Sequence, residues 1–126
     1  IGALKAHQQD IARLYRNGEE DEHRRQTVIA YFKLRMTWER AVEEVLLRNV
    51  VLRFRKGVET QRLKEVTVED SDFIEVCSNY AHDKAFIGGV AVPEPDELLE
   101  DIMCLENWRN QIEKRSIETA KKRKVA

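Results

Sequence analysis

An arginine, a glutamate and a histidine are the side chains that a metal-free site needs to cleave a phosphodiester, and this chain carries such a set. Arg35 and Glu39 lie four residues apart in Leu34-Arg35-Met36-Thr37-Trp38-Glu39-Arg40-Ala41-Val42-Glu43-Glu44. That stretch reads as helix, so the two share a face about one turn apart. His82 follows 43 residues after Glu39, in Ser78-Asn79-Tyr80-Ala81-His82-Asp83 near the expected end of another helix. A guanidinium holds a phosphate and stabilises charge that develops on it. An imidazole that titrates near neutrality takes or gives the proton. The arrangement has competitors in the same stretch. Arg40 and Glu44 repeat the spacing, so periodicity leaves open which pair would face His82. Alternating charges also describe a solvated helix face, where each pair contributes only about 0.2–0.5 kcal/mol. His82 would equally suit a helix C-terminus, capping carbonyls and favouring the dipole.

Other chemistry is poorly represented. His7 and His23 sit in polar helical stretches and are expected at the surface. No Cys/His/Asp spacing suits zinc, so no metal site is expected. The chain contains no Walker A loop, dinucleotide fingerprint or Gly-x-Ser-x-Gly elbow, so no cofactor is expected either. Gly88-Gly89 lacks the strand-before and helix-after setting of a phosphate cradle. Cys77 and Cys104 are far apart and read as free thiols of a reducing compartment. Cys77 and His82, five apart, are poorly aligned for a nucleophile and its base. Trp38 and Met36 are expected in the core rather than in a ligand site.

The elements that must position these groups are helical. Residues 2–17 place Leu4, Ile11 and Leu14 or Tyr15 on one side, and Asn17-Gly18 is a C-terminal stop. From Glu19 to about Arg55 there is no proline or glycine. There the apolar residues Val28, Phe32, Trp38, Val42, Val45, Leu46, Val50 and Phe54 recur at helical spacing. This predicts one very long helix, or two with a kink near Met36 to Trp38, broken by Lys56-Gly57. After an irregular stretch over 58–66, Thr67-Val68-Glu69-Asp70 reads as an N-cap with acids in the first turn. The helix it starts would run to His82 or Lys84. Residues 86–95 form a loop, and Pro95 suits the first turn of a last helix. That helix sets Leu98, Ile102, Leu105, Trp108 or Arg109, and Ile112 along a near-heptad seam. The first and last helices are expected to pair with each other or with another chain. The fold class is all-α, a helical bundle with one long central helix and a long coiled-coil-like C-terminal helix.

Composition agrees. Of the 126 residues 36% are charged and 42% apolar, with five glycines and two prolines, a balance that favours helices with a modest core. We expect one helical domain spanning 1–126, and the Ile1 start suggests a piece of a larger protein. The net charge of −1 argues against generic coating of nucleic acid. Lys121-Lys122-Arg123-Lys124 is the exception; it reads as a solvated helix tail or as a phosphate contact. No apolar run of about 18 residues and no signal peptide is seen, so a cytoplasmic, non-membrane protein is expected.

The pattern Arg35-x-x-Trp38-Glu39 followed by Ser78-Asn79-Tyr80-Ala81-His82-Asp83 resembles the C-terminal helical region of large bacterial ATPases. These are the anticodon-nuclease ATPases of the PrrC and RloC type and their relatives in phage defence. Trp38-Glu39-Arg40-x-Val42-Glu43-Glu44 and Pro93-x-Pro95-Asp96-Glu97-Leu98 are similar to uncharacterised relatives of these ATPases. The resemblance covers roughly residues 25–115. In that family an SMC-like ATPase accompanies a HEPN-type ribonuclease region, whose pattern is an arginine, a glutamate four residues on, and a later histidine. Carried over, the resemblance implies catalytic roles for Arg35, Glu39 and His82, with Asn79 and Arg40 as RNA contacts. It implies RNA (tRNA included) as substrate, an ATPase region outside this chain as partner, and a homo-oligomer. The chain departs from the wider Arg-x4–6-His pattern, since no arginine lies within six residues before His82. Two readings follow: an RNA-cleaving effector region, or a non-catalytic helical module that dimerises or docks on the ATPase through the seam Leu98, Ile102, Leu105 and Ile112.

Overall fold

A computed structural model describes residues 1–50, 60–72, 76 and 92–123. Helix α1 spans Gly2–Arg16, α2 spans Glu20–Ala41, and α3 spans Pro95–Lys122. A π-helical turn, Val42–Leu46, continues α2, and a 3₁₀ turn covers Thr60–Glu65. Among the described residues there is no strand. The all-α expectation, with its long central and C-terminal helices, holds.

Local chemistry sets the helix ends. Asn17-Gly18 stops α1 as expected. Gly18 takes φ 73, and Gly18 N–H reaches the Tyr15 carbonyl at 3.2 Å while Glu19 N–H reaches Leu14 at 3.1 Å. Those are the two bonds of a Schellman ending, which needs a left-handed residue at this point. Acids Glu20, Asp21 and Glu22 then fill the first turn of α2, where the helix dipole favours them. Pro95 opens α3 with Asp96 and Glu97 beside it.

The central helix differs from expectation at its C-terminal end. It runs unbroken through Met36 to Trp38, with no kink there. Its hydrogen bonds widen at Val42, where Leu47 N–H bonds the Val42 carbonyl at 2.9 Å. Arg48 and Asn49 then take φ 50 and 59, which ends the helix well before Lys56-Gly57. Asparagine tolerates the left-handed region, so Asn49 was the stop signal, and the absence of glycine hid it.

The core joins α1, α2 and α3. Leu4 and Ile11 of α1 meet Ala30, Tyr31, Leu34, Trp38 and Ala41 of α2 and Leu98, Ile102, Leu105, Trp108 and Ile112 of α3. The indoles of Trp38 and Trp108 pack at 5.2 Å between ring centres. The α3 seam was read correctly, with Trp108 rather than Arg109 facing in. On α2 the buried stripe passes through Thr27, Leu34, Trp38 and Ala41. Phe32, expected inside, stays 51% exposed. Trp38 decides the face: six residues away, Phe32 points about 120° off it. Because Leu98, Ile102 and Leu105 are fully buried within the chain, the seam offers no face to a second molecule. The first and last helices pair with each other.

Candidate functional site

On α2 the core stripe leaves two flanks, and the two arginine–glutamate pairs divide between them. Arg40 and Glu44 lie toward a groove of about 470 Å³ lined by Leu4, Met36, Leu105 and Arg109. They bridge each other at 3.8 Å with both side chains well exposed. Such a pair contributes little to stability. Arg35 and Glu39 follow Tyr31 on the other flank, at successive turns of α2. Arg35 is exposed and Glu39 half-buried, and both interact with neighbours. Beneath them Leu34 and Trp38 are buried, which holds that helix face in place.

That flank carries a contact the sequence reading missed. The Tyr31 hydroxyl donates to Asp101 Oδ2 at 2.6 Å, joining α2 to α3. Tyr31 is 4% exposed. The Trp38–Trp108 packing repeats the same sequence offset of 70, so the two helices run side by side in the same direction here. Tyr31 lies one turn before Arg35, a spacing visible in the sequence. Asp101 is brought to it only by the alignment of α2 with α3.

His82 and Asn79 lie outside the described residues, as do Ser78, Asp83 and Cys77. The segment that leads to them begins at a well-defined anchor. Asp72 is 3% exposed. Its carboxylate accepts from Glu69 N–H at 2.9 Å, from Trp108 Nε1 at 3.3 Å and from Arg115 Nη2 at 2.5 Å. Arg115 Nη1 also bridges Glu69 at 2.8 Å. Glu69 is therefore the N-cap of this turn and Asp72 its third helical residue, two positions later than the expected Thr67 cap. Thr67 Oγ1 instead shares a hydrogen bond with Thr119 Oγ1 at 3.1 Å. Beside the Asp72 cluster is a cavity of about 350 Å³ that Cys104, Asn107 and Gln111 also line. Val76, one turn on, packs against the core.

The other sequence-predicted groups fall as follows. Cys104 is half-buried and is not in a disulfide. His7 and His23 are not the surface residues expected. His7 is half-buried and its Nε2 lies 2.8 Å from Gln26 Oε1. His23 is 6% exposed, and its ring stacks obliquely on Tyr15 at 5.2 Å. Burial lowers the pKa of His23 below the ordinary histidine value, and the Arg24 charge adds to this. Both misread histidines lie where α1 folds back on α2, a contact their polar sequence neighbours do not announce. No group of three metal-binding side chains occurs among the described residues. No helix there is long and apolar enough to cross a membrane. The basic tail is partly engaged: Arg123 Nη1 donates to the Val66 carbonyl at 2.6 Å. Lys124 lies outside the described residues.

Comparison with family models, with curated proteins and with solved structures finds no match to this chain.

Proposed function

We propose that this chain is the metal-independent, RNA-cleaving effector region of a defence ATPase, with Arg35, Glu39 and His82 as its catalytic residues. One observation carries the reading. Arg35 and Glu39 sit together on a core-anchored flank of α2, apart from the Arg40–Glu44 bridge, which is closed on itself. The Asp72 anchor adds to it. His82 lies six residues beyond core-packed Val76, and six residues extend at most about 20 Å.

In this mechanism the RNA 2′-hydroxyl attacks the adjacent phosphorus. The bond from phosphorus to the 5′-oxygen breaks, leaving a 2′,3′-cyclic phosphate and a 5′-hydroxyl. One proton leaves the 2′-hydroxyl and one is delivered to the 5′-oxygen, with His82 serving one of these transfers. Arg35 holds the phosphate and stabilises its growing charge. Glu39 orients Arg35 or shares in proton transfer, and Asn79 and Arg40 contact the RNA. Incubating tRNA with the full-length protein tests this. His82→Ala and Arg35→Ala are expected to abolish cleavage, and undiminished cleavage by His82→Ala would sink the assignment.

A second reading, a non-catalytic interaction module, is favoured by a different feature. Ile29, Phe32 and Met36 form an exposed apolar stripe on α2, with 37%, 51% and 53% exposure. Sedimentation of the isolated chain bears on it: a monomer at all concentrations counts against self-association through the stripe.

A further inference from the structure

The solvent face of α2 carries an apolar stripe that the cleavage mechanism does not use. Ile29, Phe32, Lys33, Met36, Thr37 and Arg40 follow one another at helical steps, so they share that face, and no acid interrupts the run. Ile29, Phe32 and Met36 are exposed on it. Beside the stripe opens the groove of about 470 Å³ between α1, α2 and α3, and Met36 belongs to both. Leu4, Val45 and Leu105 give the groove an apolar floor. Lys33, Arg40 and Arg109 line it as cations, against Glu44 as its acid, so the lining side chains carry an excess of two positive charges. Lys33 is exposed. The bridges of Arg40 to Glu44 and of Arg109 to Glu113 are long, 3.8 and 3.6 Å, and solvated. An arriving carboxylate therefore exchanges with them at little cost.

These features select the occupant. A polyanion takes up one cation for each phosphate it contacts, and the excess here is small. A bilayer surface does not follow a concave groove between helices. A second copy meeting the same face about a twofold axis would set Lys33 and Arg40 against their own kind. A helix with apolar anchors on one face and carboxylates beside them satisfies both the floor and the cations. We propose that this groove docks an acidic amphipathic helix of a partner protein. Apolar side chains of that helix rest on the floor and on Met36, and its acids meet Lys33, Arg40 and Arg109. Arg40 is also the RNA contact of the mechanism above, so a docked helix and RNA exclude each other at that side chain. The docking itself does not depend on the ribonuclease reading.

Fluorescence anisotropy on the full-length protein tests this with a labelled synthetic helix of about 20 residues, carrying leucine on one face and glutamate beside it. Its control has every glutamate replaced by lysine. The acidic probe is expected to bind at least about tenfold tighter than the basic one. Lys33→Glu and Met36→Asp should each weaken the acidic probe about tenfold. Their urea midpoints should stay close to the wild type, because both side chains are exposed. Lys33→Glu should also tighten the basic probe. Equal binding of the two probes, or variants that bind as the wild type does, overturns the proposal. So does tighter binding of single-stranded RNA or of phosphatidylglycerol vesicles that the same two substitutions abolish, and so do dimers that they dissociate. Failure of the acidic probe while the wild-type protein cleaves tRNA removes the docking groove and keeps the ribonuclease reading. Binding of the acidic probe without any cleavage keeps the groove and refutes that reading.

Discussion

Replacing Asp72 by alanine removes three hydrogen bonds at once, and the cost can be worked from the geometry. The Glu69 N–H loses its capping partner, a loss of about 1 kcal/mol. The Trp108 indole N–H, on a side chain 5% exposed, is left without its carboxylate, which costs about 1 kcal/mol or more. Arg115 loses its shortest bond. Breaking a fully buried ion pair costs about 3–5 kcal/mol. Here the figure is smaller, because the Arg115 side chain is 21% exposed and keeps its bridge to Glu69. The expected total is about 3–4 kcal/mol, or roughly 10–15 °C in Tm for a chain of this size. Asp72→Asn retains a capping oxygen and should lose less than half as much. Urea unfolding followed by tryptophan fluorescence measures both, since Trp38 and Trp108 are the only two tryptophans. A loss below about 1 kcal/mol for Asp72→Ala, or equal losses for the two variants, would refute the account. Because Asp72 anchors the segment that leads to His82, Asp72→Ala should also depress tRNA cleavage at temperatures where the protein stays folded.

Arg40→Gln is expected to change stability by less than about 0.5 kcal/mol and to leave cleavage far less affected than Arg35→Ala does, as paired denaturation and tRNA assays would report. Burial holds His23 neutral in the fold, so the unfolded chain binds the extra proton first. Stability from this group is complete above about pH 6.5 and is lost as pH falls from there through the lower folded-state pKa. The slope is at most about 1.4 kcal/mol per pH unit. Tm measured against pH should therefore fall less steeply on the acid side in His23→Gln, and identical slopes would count against a neutral buried His23. Gly18→Ala meets no neighbour but must hold φ 73; about 1 kcal/mol of destabilisation is expected from backbone strain alone, read as a shift in the urea midpoint.

Much of the fold was legible in the chain because its signals are local. The Gly18 ending, the Pro95 start and the α3 seam follow from backbone sterics and helical periodicity, which need no knowledge of neighbours. The misreadings share one cause. Phe32 was expected inside because periodicity offers two overlapping stripes on α2, and only packing against Trp108 selects the one with Trp38. His23 was expected at the surface because its sequence neighbours are charged, yet the return of α1 along α2 buries it. The Asp72 cap was misplaced by two residues because Arg115 and Trp108, more than 30 residues away, complete the carboxylate's bonds.

The candidate site divides in the same way. Spacing alone set Arg35 and Glu39 one turn apart and did the same for Arg40 and Glu44; the resemblance alone picked out the first pair, with His82 as its expected partner. Tertiary structure separated them, by setting the pairs on opposite flanks of α2 and closing Arg40 on Glu44. It also brought Asp101 from α3 to Tyr31, one turn before Arg35. Spacing along one helix is determined by its pitch, whereas which flank meets which neighbour depends on how α1, α2 and α3 pack around two tryptophans.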